Sequence, residues 1–141
     1  MKNIAIINGA NLNLLGGREP EVYGNTSFDS YFEMLKQNFN DVQITCIQTN
    51  AESEIVEALH DAERHCDGVL LNAGGFSHTS VAIRDAIAAI SIPVIEVHIS
   101  NIFSREYFRK HSLMSEVCQG MVSGFGLNSY NIAMYAITKT I

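Results

Sequence analysis

Basic residues are scarce in this chain: nine Lys and Arg stand against fifteen Asp and Glu in 141 residues, a formal net charge of −6. A protein that gripped nucleic acid through its phosphates would carry a basic face, so nucleic acid is excluded as the main partner. A local cluster of arginines can still hold a small anion. Cysteines number three (Cys46, Cys66 and Cys118). An odd count without close pairs suits a reducing compartment and inert thiols. Long hydrophobic runs are missing. Stretches such as Ile87 to Ile90 and Pro93 to Val97 are far too short to cross a bilayer. The opening MKNIAIING lacks the long apolar region and cleavage site of a signal peptide. These absences predict a cytoplasmic protein that touches no membrane.

Cofactor signatures are missing as well. There is no GxxxxGK[ST] loop, and GMVSGFG (Gly120 to Gly126) does not fit GxGxxG, so neither a phosphate loop nor a dinucleotide site is supported. No paired Cys/His spacing marks zinc. Glu57 and His60 form a lone ExxH, where a di-metal bundle needs two copies and further glutamates. No serine sits in a GxSxG elbow. The expectation is an enzyme that works with no metal and no cofactor.

What is present is an alternation of two periods. Short apolar runs of strand type occur at Ile4 to Asn8, Val42 to Gln48, Gly68 to Asn72, Pro93 to His98 and Val117 to Val122. Near-continuous runs such as Val69-Leu70-Leu71 suit a parallel sheet covered on both faces. Helical stripes lie between them: Phe28, Phe32, Leu35 and Phe39 after the caps Thr26 and Ser27; Ile55, Leu59 and Ala62; Ala82, Ala86 and Ile90, with Ile83 and Ile87, after Thr79 and Ser80; and Tyr130, Met134 and Ile137. A short segment from Ser104 to His111 carries Arg105 and Arg109 four residues apart, the spacing of one helix face. The pattern predicts one α/β domain over 1–141, a doubly wound five-stranded parallel sheet of flavodoxin-like order 2-1-3-4-5.

Polar residues gather where such a sheet places its ligands, at the C-terminal ends of the strands. Strand 1 ends in Asn8, followed by Asn11 and Asn13; strand 3 in Asn72, followed by Ser77, His78 and Thr79; strand 4 in Glu96 and His98, followed by Ser100 and Asn101. Arg18, Arg84, Arg105 and Arg109 fall in or beside these loops, which points to a carboxylate or phosphate site. Glu96 and His98 are two apart on a strand and so face the same side. A carboxylate there fixes the imidazole tautomer and favours its protonated form. The connection from Gly9 to Asn25 is long and holds four glycines, the profile of a lid. It also carries Arg18 and Tyr23, and a cation beside a phenol favours the phenolate, which can then act as a base.

Five ordered blocks carry a resemblance: NGANLNLLGGREPEVYG (Asn8 to Gly24), QTNAESEIVEALHDA (Gln48 to Ala62), NAGGFSHTSVAIRDA (Asn72 to Ala86), PVIEVHISN (Pro93 to Asn101) and REYFRKHS (Arg105 to Ser112), closed by GMVSGFGLNSY (Gly120 to Tyr130). Together they resemble the type II 3-dehydroquinate dehydratases. The resemblance implies a hydro-lyase that removes water from 3-dehydroquinate by anti elimination through an enolate, giving 3-dehydroshikimate on the shikimate route, with no Schiff base. It implies Tyr23 as the base at C2, Arg18 as the group keeping it ionised, Asn11 with a water on the enolate, and His98, oriented by Glu96, as the proton donor to the departing hydroxyl. Asn72, His78 and Arg109 would hold ring hydroxyls and carboxylate, and the N–H groups of Ile99 and Ser100, with the Ser100 hydroxyl, would take the carboxylate. Asp85 would reach a neighbouring subunit's site in a homo-oligomer, a dodecamer built as a tetramer of trimers. Ala10, Ser53, Ser77 and Ser129 depart from the usual pattern, and Ser129 would strain the backbone if its position required positive φ.

Two other readings compete. A non-catalytic flavodoxin-like module would be a flavin carrier, which purifies yellow, or a signalling receiver, which clusters acids where this chain has asparagines. A catalytically dead homologue would have no reason to keep Tyr23, Arg18 and His98 together.

Overall fold

The computed structural model describes residues 1–17, 19, 21 and 26–141. Five strands, β1 (Lys2–Asn8), β2 (Val42–Gln48), β3 (Gly68–Asn72), β4 (Val94–His98) and β5 (Gly120–Ser123), form one sheet. Every pairing is parallel and the order is β2-β1-β3-β4-β5, as the alternation predicted. Among the described residues four helices cover it: α1 (Phe28–Asn38), α2 (Glu52–His65), α3 (Val81–Ala89) and α4 (Asn128–Thr138).

The period of two sorts the strand residues between two cores. Ile4, Ile6, Leu70, Ile95 and Val97 pack on one face, against α1 and α4. Ile7, Val69, Leu71 and Val94 pack on the other, against α2 and α3. Leu70 and Leu71 are completely buried, and each such side chain is worth roughly 1.5–3 kcal/mol over an exposed one. The same alternation sends Asn8 and Asn72 toward the α4 side, and Glu96 and His98 toward the α3 side.

The helix starts follow their caps. The Ser27 hydroxyl accepts from the Ser30 N–H and that of Ser80 from the Ile83 N–H, each satisfying a donor that the first turn leaves without a partner. Ile55, Leu59 and Ala62 are buried in α2, and Tyr130, Met134 and Ile137 in α4.

Three expectations need correction. The fifth strand begins three residues later than the apolar run suggested, because Ser115–Val117 forms a 3₁₀ turn instead. In α3, Ile83, Ala86 and Ile87 are buried whereas Ala82 is exposed and Ile90 lies past the last turn. The Arg105–Arg109 segment is not an α-helix. It contains two 3₁₀ turns, Ile102–Ser104 and Tyr107–Arg109, separated by an extended Arg105 (φ −109°, ψ −162°). Ser129 lies inside α4, and its hydroxyl accepts from the Phe125 N–H at 3.1 Å. Among the described non-glycine residues positive φ is confined to Asn11 and Glu19, so Ser129 carries no such strain.

Two glycines let the loops after β1 and β3 touch. A Cβ on Gly9 would sit 2.5 Å from the Ala73 carbonyl oxygen, and the Gly9 N–H donates to the Asn72 carbonyl at 2.7 Å. Gly74 has φ +61°, and a Cβ there would meet the Ala10 oxygen at 2.9 Å. Only glycine permits both the approach and the conformation. Among the described residues, no helix is long and apolar enough to cross a membrane.

Candidate active site

At the C-terminal edge of the sheet a cavity of about 90 Å³ lies between the ends of β1, β3 and β4. Asn11, Asn72, His98, Ile99, Ser100 and Arg109 line it, and so does Arg105. Six sequence-predicted site residues therefore meet at one place. Arg105 joins them, brought in by the extended break rather than by a helix face. Its guanidinium lies 3.4 Å from the Ser100 hydroxyl oxygen and 3.8 Å from the Glu19 carboxylate. Arg109 donates to the Glu106 carboxylate at 2.7 Å. Two guanidiniums on one wall of so small a space favour an anionic ligand.

Glu96 is 1% exposed and His98 5%. The Glu96 Oε2 accepts a hydrogen bond from His98 Nε2. That tautomer leaves Nδ1 for proton exchange with a ligand. Two hydroxyls complete the carboxylate shell: Ser112 donates to Oε2 at 2.7 Å and Ser115 to Oε1 at 2.6 Å. Burial alone would raise the Glu96 carboxyl, but the bond and charge of His98, with the hydroxyls of Ser115 and Ser112, together hold it below the usual carboxylate range.

The serines are held in place by their own segment. The Ser112 oxygen accepts from the Met114 N–H at 3.1 Å, the Leu113 N–H donates to the Ser77 carbonyl at 2.8 Å, and Met114 is completely buried. The same segment orients His78, whose Nδ1 lies 2.8 Å from the His111 carbonyl oxygen. A carbonyl only accepts, so Nδ1 carries the hydrogen and Nε2 is the acceptor of the neutral ring. The His78 ring stacks on that of His98, centroids 6.2 Å apart at 24°. Its pKa is lowered, chiefly by burial and also by His98 and Arg109 against the opposing pull of His111 and Glu96. His78 therefore stands as a ring held toward its neutral form beside His98.

Asn11 adopts φ 70° and its N–H donates to the Asn50 side chain at 3.0 Å. This is a left-handed position that asparagine tolerates better than most residues. Asp85 is exposed on α3, with its carboxylate 3.7 Å from Arg84, and it does not line the cavity. Arg84 is turned to Glu116, at 2.8 Å, and so is not part of the arginine cluster. Arg18 and Tyr23 lie outside the described residues.

Sequence reasoning missed Ser112, Ser115 and Tyr130 as site residues. Tyr130 is completely buried, and its hydroxyl bridges Asn8 and Asn72 at 2.7 and 2.9 Å. Its helical stripe marked it as core, and only the polar atom at the ring's end hinted at more.

A sequence profile described as dehydroquinase class II matches residues 2–138. A protein of Exiguobacterium sp. named 3-dehydroquinate dehydratase is 52% identical over 137 residues, covering 96% of this chain and 94% of its own. One of the same name from Caldicellulosiruptor saccharolyticus is 46% identical, covering 100% and 99%. The crystal structure of type II dehydroquinase from Butyrivibrio crossotus superposes with a TM-score of 0.95 at 39% identity, covering 97% of each chain.

Proposed function

The chain belongs to the dehydroquinase class II family, and we propose that it dehydrates 3-dehydroquinate to 3-dehydroshikimate in the cavity at the ends of β1, β3 and β4. The observation that carries this reading is the buried Glu96–His98 pair, supported by two serines, on the wall of a cavity lined by two arginines. A hydroxylated carboxylic acid needs both an anion site and a donor for its departing hydroxyl, and the cavity supplies both.

In the proposed step Tyr23, kept ionised by Arg18, takes the proton at C2. Asn11 stabilises the enolate that forms next to the ketone, a stabilisation that must be in place before the proton leaves. The enolate expels the C1 hydroxyl, which His98 protonates, and water departs. One proton leaves carbon and one returns to oxygen, so the step balances with no redox cofactor. Each acid or base contributes on the order of 10²–10⁴-fold. Arg109, Asn72, His78, Ile99 and Ser100 hold the substrate. We assign 1–141 to one catalytic domain acting in the cytoplasm. Asp85, exposed and outside the lining of its own cavity, suits a role in a neighbouring subunit of a dodecamer built as a tetramer of trimers. The exposed aromatics Phe103, Tyr107, Phe108 and Phe125 are suited to such contacts.

The test is direct. 3-Dehydroquinate added to purified protein in the presence of chelator should give the ultraviolet band of the conjugated enone, and Tyr23→Phe should abolish it while leaving the far-ultraviolet circular dichroism unchanged. Wild-type protein that yields no band, or a Tyr23→Phe variant with near-normal turnover, would refute the activity or the base respectively.

A further inference from the structure

Asn8, Asn72 and Tyr130 form a chain of hydrogen bonds beneath the cavity whose direction is set at one end. The Gly74 N–H, a backbone donor with no alternative role, donates to Asn72 Oδ1 at 3.2 Å. That places Asn72 Nδ2 toward Tyr130, where it donates to the hydroxyl oxygen at 2.9 Å. The Tyr130 O–H must then donate onward, and it does so to Asn8 Oδ1 at 2.7 Å. Asn8 Nδ2 faces the Cys46 sulfur at 3.8 Å. Asn8 is 1% exposed, Asn72 3% and Tyr130 0%. Water therefore has little access through which to offer an alternative partner, and a turned amide would leave buried groups unpaired.

We propose that Tyr130 is a positioning residue for substrate recognition, holding the Asn72 amide in one flip and one plane. The proposal rests on the reading that Asn72 contacts the substrate. An asparagine amide has two N–H hydrogens and two oxygen lone pairs. With one of each committed to Tyr130 and Gly74, one donor and one acceptor remain at fixed positions on the cavity wall. A hydroxyl is donor and acceptor at once, so the amide held this way matches a ring hydroxyl. An amide able to turn by 180° exchanges the two positions and loses half of the match. α4 takes part in recognition through Tyr130, though the helix never touches the cavity.

The experiment compares Tyr130→Phe, Asn8→Ala and Asn72→Ala with wild type, measuring kcat and KM for 3-dehydroquinate and the Asn72 side-chain amide resonances in an ¹H–¹⁵N spectrum. Tyr130→Phe should raise KM about tenfold with kcat within about threefold, the scale of one hydrogen bond, and should collapse the separation of the two Asn72 amide protons. Asn8→Ala, which frees the Tyr130 hydroxyl to turn, should raise KM by a smaller factor and keeps the proposal testable if Tyr130→Phe does not fold. A raised KM in Asn72→Ala together with unchanged KM and amide resonances in the other two variants would overturn the role of Tyr130. Unchanged KM in Asn72→Ala would instead remove Asn72 from the substrate site, and the proposal with it.

Discussion

Replacing Ser115 by alanine removes the hydroxyl that lies 2.6 Å from Glu96 Oε1, and its effect can be worked out in advance. Hydrogen bonds to charged groups contribute about 1.5–3 kcal/mol. Losing one weakens the hold on the charged form, so the Glu96 pKa should rise from its depressed position. Ser112 and His98 remain, so the carboxyl stays ionised at neutral pH, and turnover there should fall by no more than about threefold, within the loss of a single oriented hydrogen bond. The change appears on the acid side. In the wild type the folded-state pKa of Glu96 is depressed. Its contribution to stability is therefore present above the unfolded value of about 4.3 and is lost as pH falls through the lower folded value. His78, also depressed, adds loss in the same direction beginning near its ordinary value of about 6.5, because the unfolded chain binds the extra proton first. In Ser115→Ala the Glu96 window narrows. The acid limb of kcat/KM should move to higher pH, and the acid midpoint of urea unfolding should move with it. Both are read from pH series on the same protein, turnover by enone absorbance and unfolding by circular dichroism. An acid limb that stays in place in a properly folded variant would show that the hydroxyl does not hold the carboxylate ionised.

Two further outcomes follow from the same geometry. His98→Ala should slow elimination by roughly 10²–10⁴-fold while calorimetry still shows substrate binding, since the arginines are untouched; loss of binding with the rate constant preserved would contradict its role as acid. Gly9→Ala should destabilise the fold by about 1–3 kcal/mol, the usual scale of overpacking, because its new methyl group meets the Ala73 carbonyl at 2.5 Å. A melting temperature equal to wild type would show that the two loops separate at no cost.

Much of this molecule was legible before any coordinates. The strand and helix periods placed four strands and the α2 and α4 stripes correctly, and Ser27 and Ser80 announced the helices they cap. The period of two put Glu96 and His98 on one side, where they pair. The polar strand ends marked the edge at which the cavity lies. These features are local: each depends on neighbours within about one turn or one pleat, and the sequence states that spacing directly.

The rest needed the chain folded back on itself. Ser112 and Ser115 reach Glu96 from 16 and 19 residues away, and Tyr130 reaches Asn72 and Asn8 from 58 and 122. Arg105 and Arg109 share the cavity through an extended break that their helical spacing concealed, and Asp85 does not line it. Periodicity tells which face a side chain takes, but not which distant loop comes to lie over that face. That is decided by how the sheet order and the two cores bring the loops together, and the partners that hold Glu96 ionised and Asn72 in one flip were settled there.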